Sequence, residues 1–146
     1  MATWTTHKKM AGRPEDVMGV LTKPDAIARW APIPFEVIDF NGDRLLAGDR
    51  ARVRGGLAGR NLEFTVDVAE ASDARLALTA SGPIEIGVEY VAEAIPDGSN
   101  VRARVDVSGR GLIGRILAQA TDALLAAGAL RSAVSRIAHE FEPLPV

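Results

Sequence analysis

Between residues 49 and 107 apolar and polar side chains alternate with a period of two, run after run. Leu62, Phe64, Val66 and Val68 alternate with Asn61, Glu63, Thr65 and Asp67. Ile84, Ile86, Val88, Tyr90 and Ala92 alternate with Glu85, Gly87, Glu89 and Glu93, and Val101, Ala103, Val105 and Val107 with Arg102, Arg104 and Asp106. Leu76, Leu78 and Ala80, and Ala51 and Val53, repeat the pattern. A period of two with one polar face is what strands show in an antiparallel sheet packed on one side. Turn signals separate the runs: NGD at 41–43, GGLAG at 55–59, ASD at 71–73, SGP at 81–83 and PDGSN at 96–100. With a strand at 35–40, the spacing predicts a six-strand meander. A β-prone segment at 3–11 precedes it.

The ends read as helix. Pro14, with Glu15 and Asp16 behind it, opens a short helix through Leu21, since proline suits a first helical position and acids suit the positive end of the dipole. Pro24 and Asp25 repeat that signal for a second short helix ending near Trp30, before Pro32 and Pro34. From Gly111 to about Phe141 the period is helical. About 30 residues give a rod of roughly 45 Å, and strands of about 10 residues span roughly 33 Å, so one long helix lies across the apolar face. The predicted fold class is α+β: a curled antiparallel sheet of about seven strands around a long C-terminal helix, as a single domain over residues 1–146.

Gly109, Gly111 and Gly114 are spaced G-x-G-x-x-G between a strand and a helix. A dinucleotide fingerprint needs a second, parallel strand after that helix. Here only EPLPV follows, and the strand before belongs to a meander, so the glycines are read as a corner, with Ser108 a candidate cap.

On a 100° wheel Leu112, Ile113, Ile116, Ala120, Ala123, Leu124, Ala127, Leu130, Val134, Ala138 and Phe141 form one apolar stripe, with Arg115, Gln119, Asp122, Arg136 and Glu140 opposite. Arg131 falls within the stripe. Either it snorkels to the sheet edge or a carboxylate there, or it faces an internal cavity and holds an anionic or enolate-like group. The segment LAQATDALLAAGAL is dense in alanine and contains Gly128. Small side chains against a concave sheet mean either close packing or a void, and apolar voids are ligand sites. Arg50, Arg52 and Arg54 form a basic stripe on an outer face, for which Glu85, Glu89 and Glu93 are candidate partners.

Composition excludes several chemistries. There is no cysteine, hence no disulfide, thiolate metal site or cysteine nucleophile. His7 and His139 show no metal spacing, and no nucleophile elbow or phosphate loop occurs. A net charge of -2 gives no argument for a nucleic-acid or membrane-surface partner. No run approaches the ~20 apolar residues of a membrane span. MATWTTHKKMAG lacks an apolar signal region, so the expected location is the cytoplasm.

The stretch AGRPEDVMGVLTKPDAIARWAPIPFEV resembles the opening of the SRPBCC, or START-like, superfamily: A-x-x-P-E-x-V opens one short helix and L-T-x-P-x-x-x-x-R-W closes a second. Within it, the chain looks most like the bacterial polyketide cyclase/dehydrase and lipid-transport group, and the element order is similar along nearly its whole length. The resemblance implies a helix-grip fold with a deep, mostly apolar cavity for a lipid, polyketide-like, sterol-like or other hydrophobic molecule. No cofactor is expected. Many relatives carry tryptophan where this chain has Met18. Trp30 matches the family's tryptophan at the end of the second helix, where it plugs the mouth or touches ligand.

Three functions compete. The first is a binder of a small hydrophobic molecule, monomeric or homodimeric. The second is a cyclase or aromatase, with Tyr90 as acid or hydrogen-bond donor and Arg131 stabilising an enolate, which requires both in one cavity. The third is a helper module for a protein partner, which an exposed apolar patch over a filled core would favour. The candidate ligand contacts are Trp30, Phe64, Tyr90, Leu124, Gly128 and Arg131; no catalytic residue and no metal ligand is assigned.

Overall fold

The computed structural model describes residues 2–24, 26–27, 35–40, 42–57 and 59–141. Seven strands form one sheet: β1 (Ala2–Met10), β2 (Phe35–Asp39), β3 (Arg50–Leu57), β4 (Arg60–Ala71), β5 (Arg75–Ser81), β6 (Ile84–Ile95) and β7 (Gly98–Gly109). Their order is β1-β7-β6-β5-β4-β3-β2, and every pair is antiparallel. The meander is therefore continuous, and β1 closes onto its last strand. Helix α1 (Pro14–Thr22) follows β1, and Pro24, Ala26 and Ile27 are helical after it. The C-terminal region forms α2 (Gly111–Ala126) and α3 (Ala129–His139).

The α+β arrangement is the one the alternation dictates, with local differences. GGLAG is not all turn: Gly55 and Gly56 stay in β3, paired with Leu62 and Asn61, and the chain reverses between Leu57 and Arg60. The basic stripe pairs with acids on its own neighbours. Arg50 Nε lies 2.7 Å from Asp67, Arg52 bonds Glu63, and Arg54 lies 3.0 Å from Glu36. Glu85, Glu89 and Glu93 are not its partners, because β6 lies three strands from β3; Glu89 instead pairs with Arg75 on β5 at 2.5 Å.

The C-terminal rod is long but bent. Gly128 adopts φ 98°, a left-handed conformation, and its N–H donates to the Leu125 carbonyl at 3.1 Å. A left-handed glycine ends a helix, and α2 and α3 meet at a 54° bend. Each takes its own wall: α2 packs on β7 and β6, and α3 on β1. Trp4 Nε1 on β1 donates to Asp122 on α2 at 3.3 Å.

The bend also resets the helical phase. In α2 the buried row is Gly114, Leu117, Thr121 and Leu125; in α3 it is Leu130, Ala133, Val134, Ile137 and Ala138. The single stripe drawn through an unbroken wheel therefore fails in the first half, where Leu112, Ile113, Ile116 and Leu124 are exposed. Together with Val17, Met18 and Leu21 of α1, the α3 row closes one end of the sheet over Leu76, Tyr90 and Val101.

The three spaced glycines make a corner between β7 and α2. Gly111 has φ 71°. A Cβ on Gly109 would stand 2.1 Å from the Gly114 carbonyl oxygen, so the two backbones touch. The helix begins after Arg110 with no side-chain cap, so Ser108 does not serve as one.

Gly109→Ala is expected to lower stability by about 2 kcal/mol or more, through overpacking against backbone. That is a fall in Tm of roughly 5 °C or more for a chain of this size. Gly19, in mid-helix with nothing within 4 Å of an added Cβ, is the control. Gly19→Ala should raise Tm by about 2 °C. Thermal melts by circular dichroism read both.

Candidate functional site

The sheet's inner face is unevenly covered. Phe64, Val68, Leu76 and Tyr90 are buried, but Val53, Val66, Leu78, Ala80, Ile86 and Val88, which also point inward, are only half-buried. The reason lies overhead. The face that α2 turns to the sheet carries Gly114, Leu117, Ala118, Thr121 and Leu125, too small a set to fill the concavity. A cavity of about 220 Å³ remains between the sheet and α2. This is below the roughly 300–1,000 Å³ usual for pockets that take drug-sized ligands.

Its floor is the inner face of β3 to β6, its roof Thr121, Leu124, Leu125 and Ala129, and its side Leu21, Ile27, Phe40 and Leu45. Val37 on edge strand β2 and Leu124 on α2 both line it while remaining exposed, which places the mouth between them. The wall is almost wholly apolar. The Thr121 hydroxyl is already used, donating to the Leu117 carbonyl at 3.0 Å. Among the described lining residues Tyr90 is the only titratable group. Burial pushes its phenol above the ordinary value, so it stays neutral. Among the described residues no group of three or more histidines or carboxylates is placed to hold a metal ion. Such a wall holds a ligand by dispersion and exclusion of water, and it offers no acid–base pair.

Of the candidate contacts, Phe64, Tyr90 and Leu124 line the cavity. Trp30 lies outside the described residues. Gly128 is corrected from a wall residue to the helix break. Arg131 is corrected as well: it is exposed on α3, because the break turns it off the buried row. It does not share the cavity with Tyr90, so the paired site that a cyclase requires is not formed by these two residues. Leu21, Phe40, Leu45 and Thr121 line the cavity unforeseen. Thr121, the one hydroxyl of the α2 roof, was legible only once the helix phase was known.

No protein-family model matches the chain, and no curated protein does. Solved structures do. Protein CV1439 from Chromobacterium violaceum is similar with a TM-score of 0.74 at 15% identity, covering 98% of this chain and 99% of that one. A START superfamily protein from Mycobacterium smegmatis gives 0.67 at 15%, covering 96% and 99%. DynU16, a protein of the dynemicin biosynthetic locus, gives 0.61 at 20%, covering 94% of this chain and 46% of its own. The fold is thus the SRPBCC/START-like helix-grip fold.

Tyr90 is the only tyrosine, so phenolate absorbance near 295 nm reports the cavity alone. Its folded pKa lies above the unfolded value of 10.0, so folding favours the protonated form. The contribution to stability is complete below about pH 10 and is lost as pH rises beyond it. Alkaline titration should show no phenolate until the protein unfolds, at which point both signals change together. Ionisation of Tyr90 in folded protein would contradict its burial.

Proposed function

We propose that this chain binds one small, hydrocarbon-rich molecule, a lipid or polyketide-like compound, in the cavity between the sheet and α2, and holds it without chemical change. The observation that carries this is the wall itself: about 220 Å³ of space bounded by aliphatic and aromatic carbon, with a single titratable group among the described lining residues. The START-like fold supports it, since the sequence resemblance implies such a cavity. DynU16 keeps a biosynthetic setting in view for the fold. The same reading takes the chain as one cytoplasmic unit, monomeric or homodimeric, with a hydrophobic small molecule as its partner and no cofactor.

The neutral fluorophore N-phenyl-1-naphthylamine tests it. Wild-type protein should bind the dye with a blue shift and enhanced emission. Ala80, half-buried on the cavity floor and packed against the core on one side, can be enlarged into the open space of the cavity. Ala80→Phe should weaken dye binding at least about tenfold while leaving Tm unchanged or raised, because the added ring fills existing space. Equal affinity in the variant would show that the dye binds elsewhere and would remove the reading. Native mass spectrometry of the purified protein should also find a hydrophobic adduct that Ala80→Phe lacks.

A further inference from the structure

The apolar arc of α2 is wider than the sheet can use. One flank is buried through Gly114, Leu117, Thr121 and Leu125. The adjoining flank carries Leu112, Ile113 and Ile116, which are 77%, 65% and 55% exposed. Ile116, Ala120 and Leu124 follow one another at i, i+4 spacing along it, and Leu124 lines the cavity. Oily surface therefore runs from the outer side of α2 to the cavity mouth, where Val37 is 41% exposed on the facing strand. Single exposed aliphatics need no explanation, whereas a connected row on one helix does.

Along the first three turns of α2 the charges beside this row are of one sign, and the one acid of the helix, Asp122, follows them and accepts from Trp4 Nε1. Arg110 precedes the helix and Arg115 lies in its second turn; both are exposed, and neither has an ion-pair partner among the described residues. From 111 to 121 the helix has no acid. Cations at the positive end of a helix are disfavoured unless something anionic stands outside. Leucine and isoleucine flanked by snorkelling arginines suit the boundary between acyl chains and anionic headgroups. A second copy meeting this arc would bring the same cations together.

We propose that the exposed arc of α2 docks on an anionic lipid bilayer, with Leu112, Ile113 and Ile116 entering the interface and Arg110 and Arg115 on the headgroups. The cavity mouth then opens at the membrane surface. Docking does not depend on what the cavity holds; passage of a hydrophobic molecule between bilayer and cavity rests on the proposed function.

Flotation with vesicles of phosphatidylcholine, with and without phosphatidylglycerol, tests the docking. Wild-type protein should float with the phosphatidylglycerol vesicles, less so as salt rises. The double variant Ile113→Gln, Ile116→Gln should lose at least about tenfold in vesicle affinity. Arg110→Gln with Arg115→Gln should lose the preference for anionic vesicles. All of these side chains are exposed, so both variants should keep wild-type Tm and wild-type binding of N-phenyl-1-naphthylamine. That dye control separates loss of docking from loss of the cavity. Three results would overturn the proposal: wild-type protein that does not float, an Ile113→Gln, Ile116→Gln variant that floats as well as wild type, or a wild-type dimer that this same variant turns into monomer.

Discussion

The inner face of the sheet presents more aliphatic surface than its helices can cover. Six strands direct alternate side chains to one side, and α2, with Gly114, Ala118 and Thr121 toward them, answers with little volume. At about 24 cal/mol per Å³, a sealed dry void of 220 Å³ would cost on the order of 5 kcal/mol, a large part of a small domain's stability. The cavity is open at its mouth, so that figure is an upper bound, and the other end of the sheet is densely closed. There α1 and α3 bury Val17, Met18, Leu21, Val134 and Ile137 almost completely. Stability and vacancy are segregated along the sheet, and a ligand that fills the vacancy recovers part of the deficit.

That segregation depends on two glycine positions. At Gly109 the strand and the helix meet backbone to backbone, which fixes where α2 leaves the sheet. At Gly128 the chain turns by 54°, which lets α3 lie on β1 while α2 spans the cavity. A straight rod could not serve both walls. Outside, the Arg50–Asp67, Arg52–Glu63 and Arg54–Glu36 pairs run across β2, β3 and β4. Exposed pairs of this kind contribute little energy each. Their value is in register, since a one-residue slip would turn arginines toward the cavity.

Much of this was legible in the sequence because a sheet's period is rigid. Alternation at 62–68 and 84–92 assigns Phe64 and Tyr90 to the inner face without any knowledge of strand order. Ion-pair partners are different: Glu63 and Glu89 have the same local pattern, and only the order of strands decides which meets Arg52. The helix was read less well for a similar reason. A wheel accumulates phase, so a break at Gly128 misplaces what is extrapolated across it. The alanine-rich surroundings contain no proline to announce the break. Arg131 entered the apolar stripe by that arithmetic, and the true row of α2 was displaced onto its exposed neighbours.

The same displacement has a physical reading. α2 is apolar over far more of its circumference than the sheet contacts, although the net charge of the chain is only -2. A whole-molecule charge averages away local order: the first three turns of α2 combine exposed leucine and isoleucine with arginine and no acid. Exposure of those side chains to water is unfavourable, and nothing in the packing of the described residues relieves it. The flank that remains uncovered is also the one that leads to the mouth. On the proposed function, an apolar approach to so apolar a cavity would spare a hydrophobic ligand a passage through water.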